Sequence, residues 1–243
     1  MLEKNRILYE DNHLIIINKK PGELVQGDES GDRTLADDVR EYLKVTYDKK
    51  GNVYLGIPHR LDRPTSGIVV YAKTEKALVR LNEMFRGSGV KKVYWAVVDK
   101  KPEKEEGTLV HYIVRNSETN KSVAYPREMK GSKIAKLSYS LLASSDRYHL
   151  LEIVLHTGRH HQIRAQLKAI GIHIKGDLKY GAERSNPDGG ISLHARRISF
   201  IHPVKKEELT VVAPPPEDRL WSYFLSEVEK REEKETESDN SLK

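Results

Sequence analysis

The 243-residue chain contains no cysteine. That excludes a disulfide framework, a thiol nucleophile and any zinc or iron–sulfur site that needs thiolate ligands. Phe and Trp are scarce, at three and two, while Tyr occurs twelve times. No apolar run approaches the roughly 20 residues of a membrane-spanning helix. The opening MLEKNRILYEDNH has no apolar secretory core, so a cytoplasmic protein without a membrane partner is expected. Acid is also in short supply, with 36 Asp and Glu against 42 Lys and Arg, for a net charge of +6.

That charge is unevenly placed. The last 18 residues hold seven acids and four bases, which leaves 38 bases against 29 acids in residues 1–225. A basic body with an acidic tail suits a polyanionic partner, most simply nucleic acid. Surface charge that only secures solubility would leave the same balance.

Hydropathy patterning predicts one mixed α/β domain over 1–225, followed by a charged tail over 226–243 that either extends the last helix or is flexible. Two short strands flank Asp11-Asn12-His13, and Lys19-Lys20-Pro21-Gly22 stops the second. Residues 32–47 place Leu35, Val39, Tyr42 and Leu43 at helical spacing. Ile68 to Tyr71 reads as a strand. Thr74 caps a helix over 75–86, which Gly87 can end. Strands are predicted at 91–98, around Leu137–Leu141, and at 148–155, 192–201 and 208–213. Helices are predicted over about 159–170 and 217–225.

Two segments and one side chain carry chemistry. In His59-Arg60-Leu61-Asp62-Arg63-Pro64-Thr65-Ser66-Gly67 an aspartate stands among cations that favour its ionised form. An ionised Asp62 can act as nucleophile or base on a sugar while the arginines hold phosphates. A turn with a surface ion pair would have the same spacing. The second segment, HTGRHHQIRAQLKAIGIHIKGDLKYG, concentrates Arg159, Arg164, Lys168, Lys175 and Lys179. On a helix from 159, His160, Arg164 and Lys168 share one face at the edge of the core. That face suits a phosphate backbone, a buried acid, or plain solvation. His156 and His160 are four apart, but Thr157-Gly158 breaks the helix between them, so no metal site is expected. Tyr94, in KKVYWAVV, can stack on a base or fill the core.

Together the stretches HRLDRPTSGIVVYAKT, KKVYWAVV, HTGRHHQIR, HIKGDLKYG and SLHARRISFIHP resemble, in order, the RluA-type family of RNA pseudouridine synthases. The resemblance implies a mixed, bent β-sheet with flanking helices around a central cleft. It implies the catalytic aspartate at Asp62, Tyr94 against the target base, and Arg164 paired with the aspartate. It also implies RNA contacts from His59, Arg60, Arg63, Arg159, His161, Gln162 and Lys168. The implied reaction isomerises uridine in a tRNA or rRNA stem–loop, without cofactor or metal, in a monomeric enzyme. Many relatives begin with a small S4 RNA-binding domain, whereas this chain starts at ILYEDNHLIIINKKPG. It also reads Lys20-Pro21-Gly22-Glu23 where KP-x-G is common, and Gln166 where a histidine is usual. Two rivals are a non-catalytic RNA-binding protein and a nucleotide or glycoside hydrolase. The latter normally needs two carboxylates, and the Asp62 loop holds one.

Overall fold

Short apolar segments separated by turn residues assemble into one ten-stranded sheet in the computed structural model, which describes residues 2–27 and 31–241. In chain order the strands and helices are β1 (Ile7–Glu10), β2 (Leu14–Lys19), α1 (Leu35–Thr46), β3 (Ser66–Ala72), α2 (Glu75–Arg86), β4 (Val90–Val98), β5 (Glu106–Asn116), β6 (Lys121–Tyr125), β7 (Lys133–Ser144), β8 (His149–Leu155), α3 (Gln162–Ala169), β9 (Leu193–Ile201), β10 (Glu208–Val212) and α4 (Arg219–Ser241). The spatial order is β1-β2-β3-β9-β4-β8-β7-β5-β6, with β10 also on β9. The sheet is mixed because β3 and β9 run parallel while the other pairs are antiparallel.

The β3–β9 junction depends on glycine. Gly67 pairs with Ala195 at φ +107°, and an added Cβ would lie 2.4 Å from the Ala195 carbonyl oxygen. Only a residue without a side chain permits that approach. β3 pairs with β9 only through Ser66 and Gly67, and β10 takes over the same strand at Arg197 to Ile201. Opposite, β4 carries an irregularity against β9 between Val93 and Tyr94. Such a bulge bends a strand and re-aims its side chains.

The alternation along β4 divides the core. Trp95 and Val97 pack with Leu150 under Trp221, Phe224 and Val228 of α4. Ala96 and Val98 pack on the other face with Leu151, Ile153 and the α3 residues Ile163 and Leu167. A separate cluster joins Ile15, Val70 and Tyr71 to Val39 and Leu43 of α1 and Leu81 of α2. Each fully buried aliphatic side chain contributes about 1.5–3 kcal/mol by leaving water. Tyr94 packs against both this cluster and the α3 cluster, so it marks the seam between the two halves.

The Thr74 cap follows the sequence reading, and α1 carries a second cap. Thr34 and Asp37 form a reciprocal capping box on α1, and the Thr74 side chain accepts from the Ala77 N–H on α2. Some boundaries differ from expectation, among them the start of α1, which is Leu35 rather than 32. The β5–β6 hairpin has no counterpart in the predicted elements, because its strands are only partly buried and mix polar with apolar residues, which weakens the apolar alternation. α3 begins at Gln162 rather than 159, because His161 sits in the left-handed region at φ 51°. α4 continues past 225, so of the two alternatives for the tail the helical one applies as far as Ser241, and Val228 is buried in the core.

Candidate active site

Asp62 lies in the loop that leads into β3, and the loop is pinned from behind by a buried lysine. Lys19, at the end of β2, is 1% exposed. Its ammonium donates to the carbonyls of Lys20 at 3.0 Å, Arg63 at 2.9 Å and Thr65 at 2.7 Å. Three protons thus meet three acceptors, two of them on the aspartate loop. Burial pushes the Lys19 ammonium down to about 8, so it stays largely charged at neutral pH. The Gly22 N–H donates to the Arg63 carbonyl, and Arg63 Nε donates back to the Gly22 carbonyl, both at 2.9 Å. Replacing Lys19 with Met leaves the Lys20 and Thr65 carbonyls without this donor, while the Arg63 carbonyl keeps the Gly22 N–H, and an unpaired buried group costs about 1–3 kcal/mol. Lys19→Met is therefore expected to lower stability by about 3 kcal/mol. Urea unfolding measures this, and wild-type stability would show that the loop does not depend on the ammonium.

From the other side the loop meets α3. Arg164 Nη1 donates to Asp62 Oδ2 at 3.1 Å. The rest of the guanidinium grips Asp177, with Nε to Oδ2 at 2.7 Å and Nη2 to Oδ1 at 2.8 Å. Side-chain exposure is 5% for Arg164, 1% for Asp177 and 25% for Asp62. One buried cation therefore serves two carboxylates, of which only Asp62 reaches the solvent. Burial works against the Arg164 charge, but Asp177 first and Asp62 second outweigh it and hold its pKa up. The guanidinium also lies over the Tyr180 ring, 4.7 Å from its centroid.

His161 completes the wall. Its Nε2 is 3.5 Å from Asp62 Oδ2, and its Nδ1 is 2.9 Å from the Tyr180 hydroxyl. Burial, then Arg164, pushes the imidazole down to about 2, so it is neutral. The Tyr180 oxygen already accepts from the Ser122 N–H at 2.8 Å. Its own proton is then available to His161 Nδ1, which places the imidazole proton on Nε2, facing Asp62.

Two cavities meet at Asp62. One, of about 320 Å³, has Tyr94, Leu155, Ile163 and Leu193 as apolar walls and Thr65 beside Asp62. The other, of about 460 Å³, is lined by Arg60, Asn120, His160 and Lys179. Both are of small-ligand size. Burial, and then Asp62, holds the Tyr94 phenol well above its ordinary value, so the hydroxyl keeps its proton.

The structure brings Asp62, Tyr94 and Arg164 to the lining of one cavity, and it separates the residues expected to contact RNA. Arg60 is exposed and borders both cavities, and Arg159 borders the first. Arg63 is exposed but tied to Asp32 at 3.0 Å. His59 is not a cation: it accepts the Val70 N–H at 2.9 Å, stacks on Phe85, and burial pushes it down to about 3. Gln162 is a structural staple rather than an exposed contact. Its Oε1 accepts from Thr157 and the Arg159 N–H, and its Nε2 donates to the Lys136 carbonyl. Lys168 is exposed and lines neither cavity at Asp62. The expected stripe of His160, Arg164 and Lys168 does not exist, because His160 precedes the helix and Arg164 is buried.

Sequence reasoning missed Lys19, Asp177 and Tyr180 as parts of the site. Asp177 and Tyr180 lie within HIKGDLKYG, so a signal was present, but only the folded chain turns them toward Arg164. Among the described residues no group of three or more His, Asp or Glu could hold a metal ion, and no helix is long and apolar enough to cross a membrane.

Known proteins are similar to this chain in sequence and in architecture. The family model for RNA pseudouridylate synthase matches residues 13–169. An uncharacterized RNA pseudouridine synthase of Synechocystis is 36% identical over 228 residues, covering 91% of this chain and 69% of that protein. The ribosomal large subunit pseudouridine synthase D of Zymomonas mobilis is 30% identical, covering 93% of this chain and 74% of that protein. The structure of human RNA pseudouridylate synthase domain containing 4 superposes with a TM-score of 0.74 at 26% identity, covering 93% of both chains. The family match spans the Asp62 loop, β4 with Tyr94 and α3 with Arg164, and with these relatives it makes the chain a member of the RNA pseudouridylate synthase family, an isomerase that acts on RNA.

Proposed function

We propose that Asp62 carries out the isomerisation of a uridine in a ribosomal or transfer RNA stem–loop, with Arg164 holding the carboxylate and Tyr94 packing on the base. The observation that carries this reading is the carboxylate itself. Asp62 is the solvent-reaching end of a buried Asp62–Arg164–Asp177 arrangement, at the meeting point of two cavities. A purely RNA-binding protein has no use for an acid held there.

The reaction breaks the N1–C1′ bond, turns the uracil and joins C5 to C1′. N1 ends with a proton and C5 loses one, so atoms and charge balance without a co-reactant. Attack on C1′ and removal of the 2′ proton both need an ionised carboxylate, which Arg164 favours. Tyr94, kept protonated, serves as a packing surface and a donor rather than as a base. Taking the nucleotide out of its stack costs a few kcal/mol, which phosphate contacts from Arg60, Arg159 and Lys179 can offset. Loops suit such recognition because their bases are already poorly stacked. Support for a ribosomal target comes from relatives named ribosomal large subunit pseudouridine synthases, including synthase C of Buchnera aphidicola, 33% identical over 223 residues. The enzyme is taken to work as a cytoplasmic monomer, independent of cofactor and metal.

Base-resolution pseudouridine mapping of cellular RNA, with and without the gene, tests the proposal. A small set of sites should vanish on deletion and return with the wild-type gene. An unchanged map in ribosomal and transfer RNA would refute the substrate assignment.

A further inference from the structure

One polar atom in the wall of the Tyr94 cavity has no partner. Thr65 is 2% exposed, lines that cavity beside Asp62, and its Oγ1 makes no hydrogen bond. The Thr65 backbone, in contrast, is fully engaged. Its N–H donates to the Asp62 carbonyl at 3.0 Å, and its carbonyl accepts from Lys19 at 2.7 Å. Turn hydroxyls commonly bond to nearby backbone, and this one does not. Three other buried side-chain atoms among the described residues also lack partners, on Trp95, Gln166 and His202, but none of these residues lines this cavity.

Buried polar groups in native proteins are almost always satisfied, and an exception beside a reactive carboxylate points to a group supplied by the ligand. A uracil fits that need. Its faces suit the apolar walls formed by Tyr94, Leu155, Ile163 and Leu193, and its edge carries two carbonyl oxygens and one imide N–H. A hydroxyl both donates and accepts, so it can pair with either kind of edge group. We infer that Thr65 Oγ1 hydrogen-bonds the polar edge of the turned-out uracil and orients that base over Asp62. This rests on the reading that the cavity beside Asp62 receives the target base.

Thr65→Val keeps the shape and removes the hydroxyl, while Thr65→Ser keeps the hydroxyl. Both are assayed under single turnover on RNA purified from cells lacking the gene. The Val variant should melt at or above the wild-type temperature, because no native hydrogen bond is lost. It should bind this RNA within about threefold of wild type, since phosphate contacts dominate affinity. Its rate should fall about tenfold, the worth of one hydrogen bond, and Thr65→Ser should stay within about threefold of wild type. A wild-type rate in Thr65→Val overturns the inference. So does a slow Val variant whose melting temperature drops and whose defect Ser does not relieve, since that marks a structural role. Asp62→Asn, measured alongside, separates the two failures. If it is inactive while Thr65→Val is normal, only the base contact is wrong. If it is active, the site assignment falls and the contact falls with it.

Discussion

Asp62→Asn is expected to yield a folded protein that binds RNA and forms no pseudouridine. The substitution is isosteric and removes one negative charge. The fold should tolerate it because Arg164 keeps its two-point grip on Asp177. The amide oxygen can also take the place of Asp62 Oδ2, accepting from Arg164 Nη1, and its orientation toward His161 Nε2–H is equally favourable. An amide, however, is neither a nucleophile nor a base. Removing a group of that kind costs on the order of 10⁴-fold or more in rate. Nucleoside analysis of digested RNA after incubation with the variant reads the effect directly. Turnover near the wild-type rate would place the chemistry elsewhere.

Arg164→Met should have the largest effect on stability. The variant leaves Asp177, 1% exposed, as a buried carboxylate with no cation beside it. Breaking a buried pair from one side typically costs about 3–5 kcal/mol. For a chain of this size that corresponds to a fall in melting temperature on the order of 10 °C. Activity should vanish as well, since Asp62 loses the donor that orients it. Arg164→Lys should rescue little, because an ammonium cannot hold Asp177 with two parallel bonds and reach Asp62 at once. The double variant Arg164→Met, Asp177→Leu separates fold from chemistry. Replacing both partners by apolar groups is often nearly neutral, so melting should recover substantially while pseudouridine formation stays lost. Recovery of activity in the double variant would show that Arg164 serves the fold alone.

The two variants differ because Arg164 faces two acids in different surroundings. Asp177 is sealed in the interior, so its loss of charge balance falls on the fold. Asp62 opens onto the cavities, so its loss falls on the reaction.

Much of the secondary structure was legible in the chain because it rests on local physics. Thr74 caps its helix through a bond that spans three residues. The alternation in KKVYWAVV sorts Trp95 and Val97 from Tyr94, Ala96 and Val98, and the core obeys that division. The aspartate loop and the arginine were legible as motifs. The sequence by itself therefore determined which residue types carry the chemistry and which segments form strands and helices. The tertiary structure decided which charges are paired. Arg164 read equally as a solvated, phosphate-binding or buried residue, and only packing against Asp177, thirteen residues later, and Asp62, 102 residues earlier, made it the pivot of the site. The His160–Arg164–Lys168 stripe failed because one left-handed residue, His161, delays α3. Lys19 looked like one of two turn lysines until the fold closed three carbonyls around it. Burial and pairing are properties of residues distant in the chain that meet in space, so spacing along the sequence does not encode them.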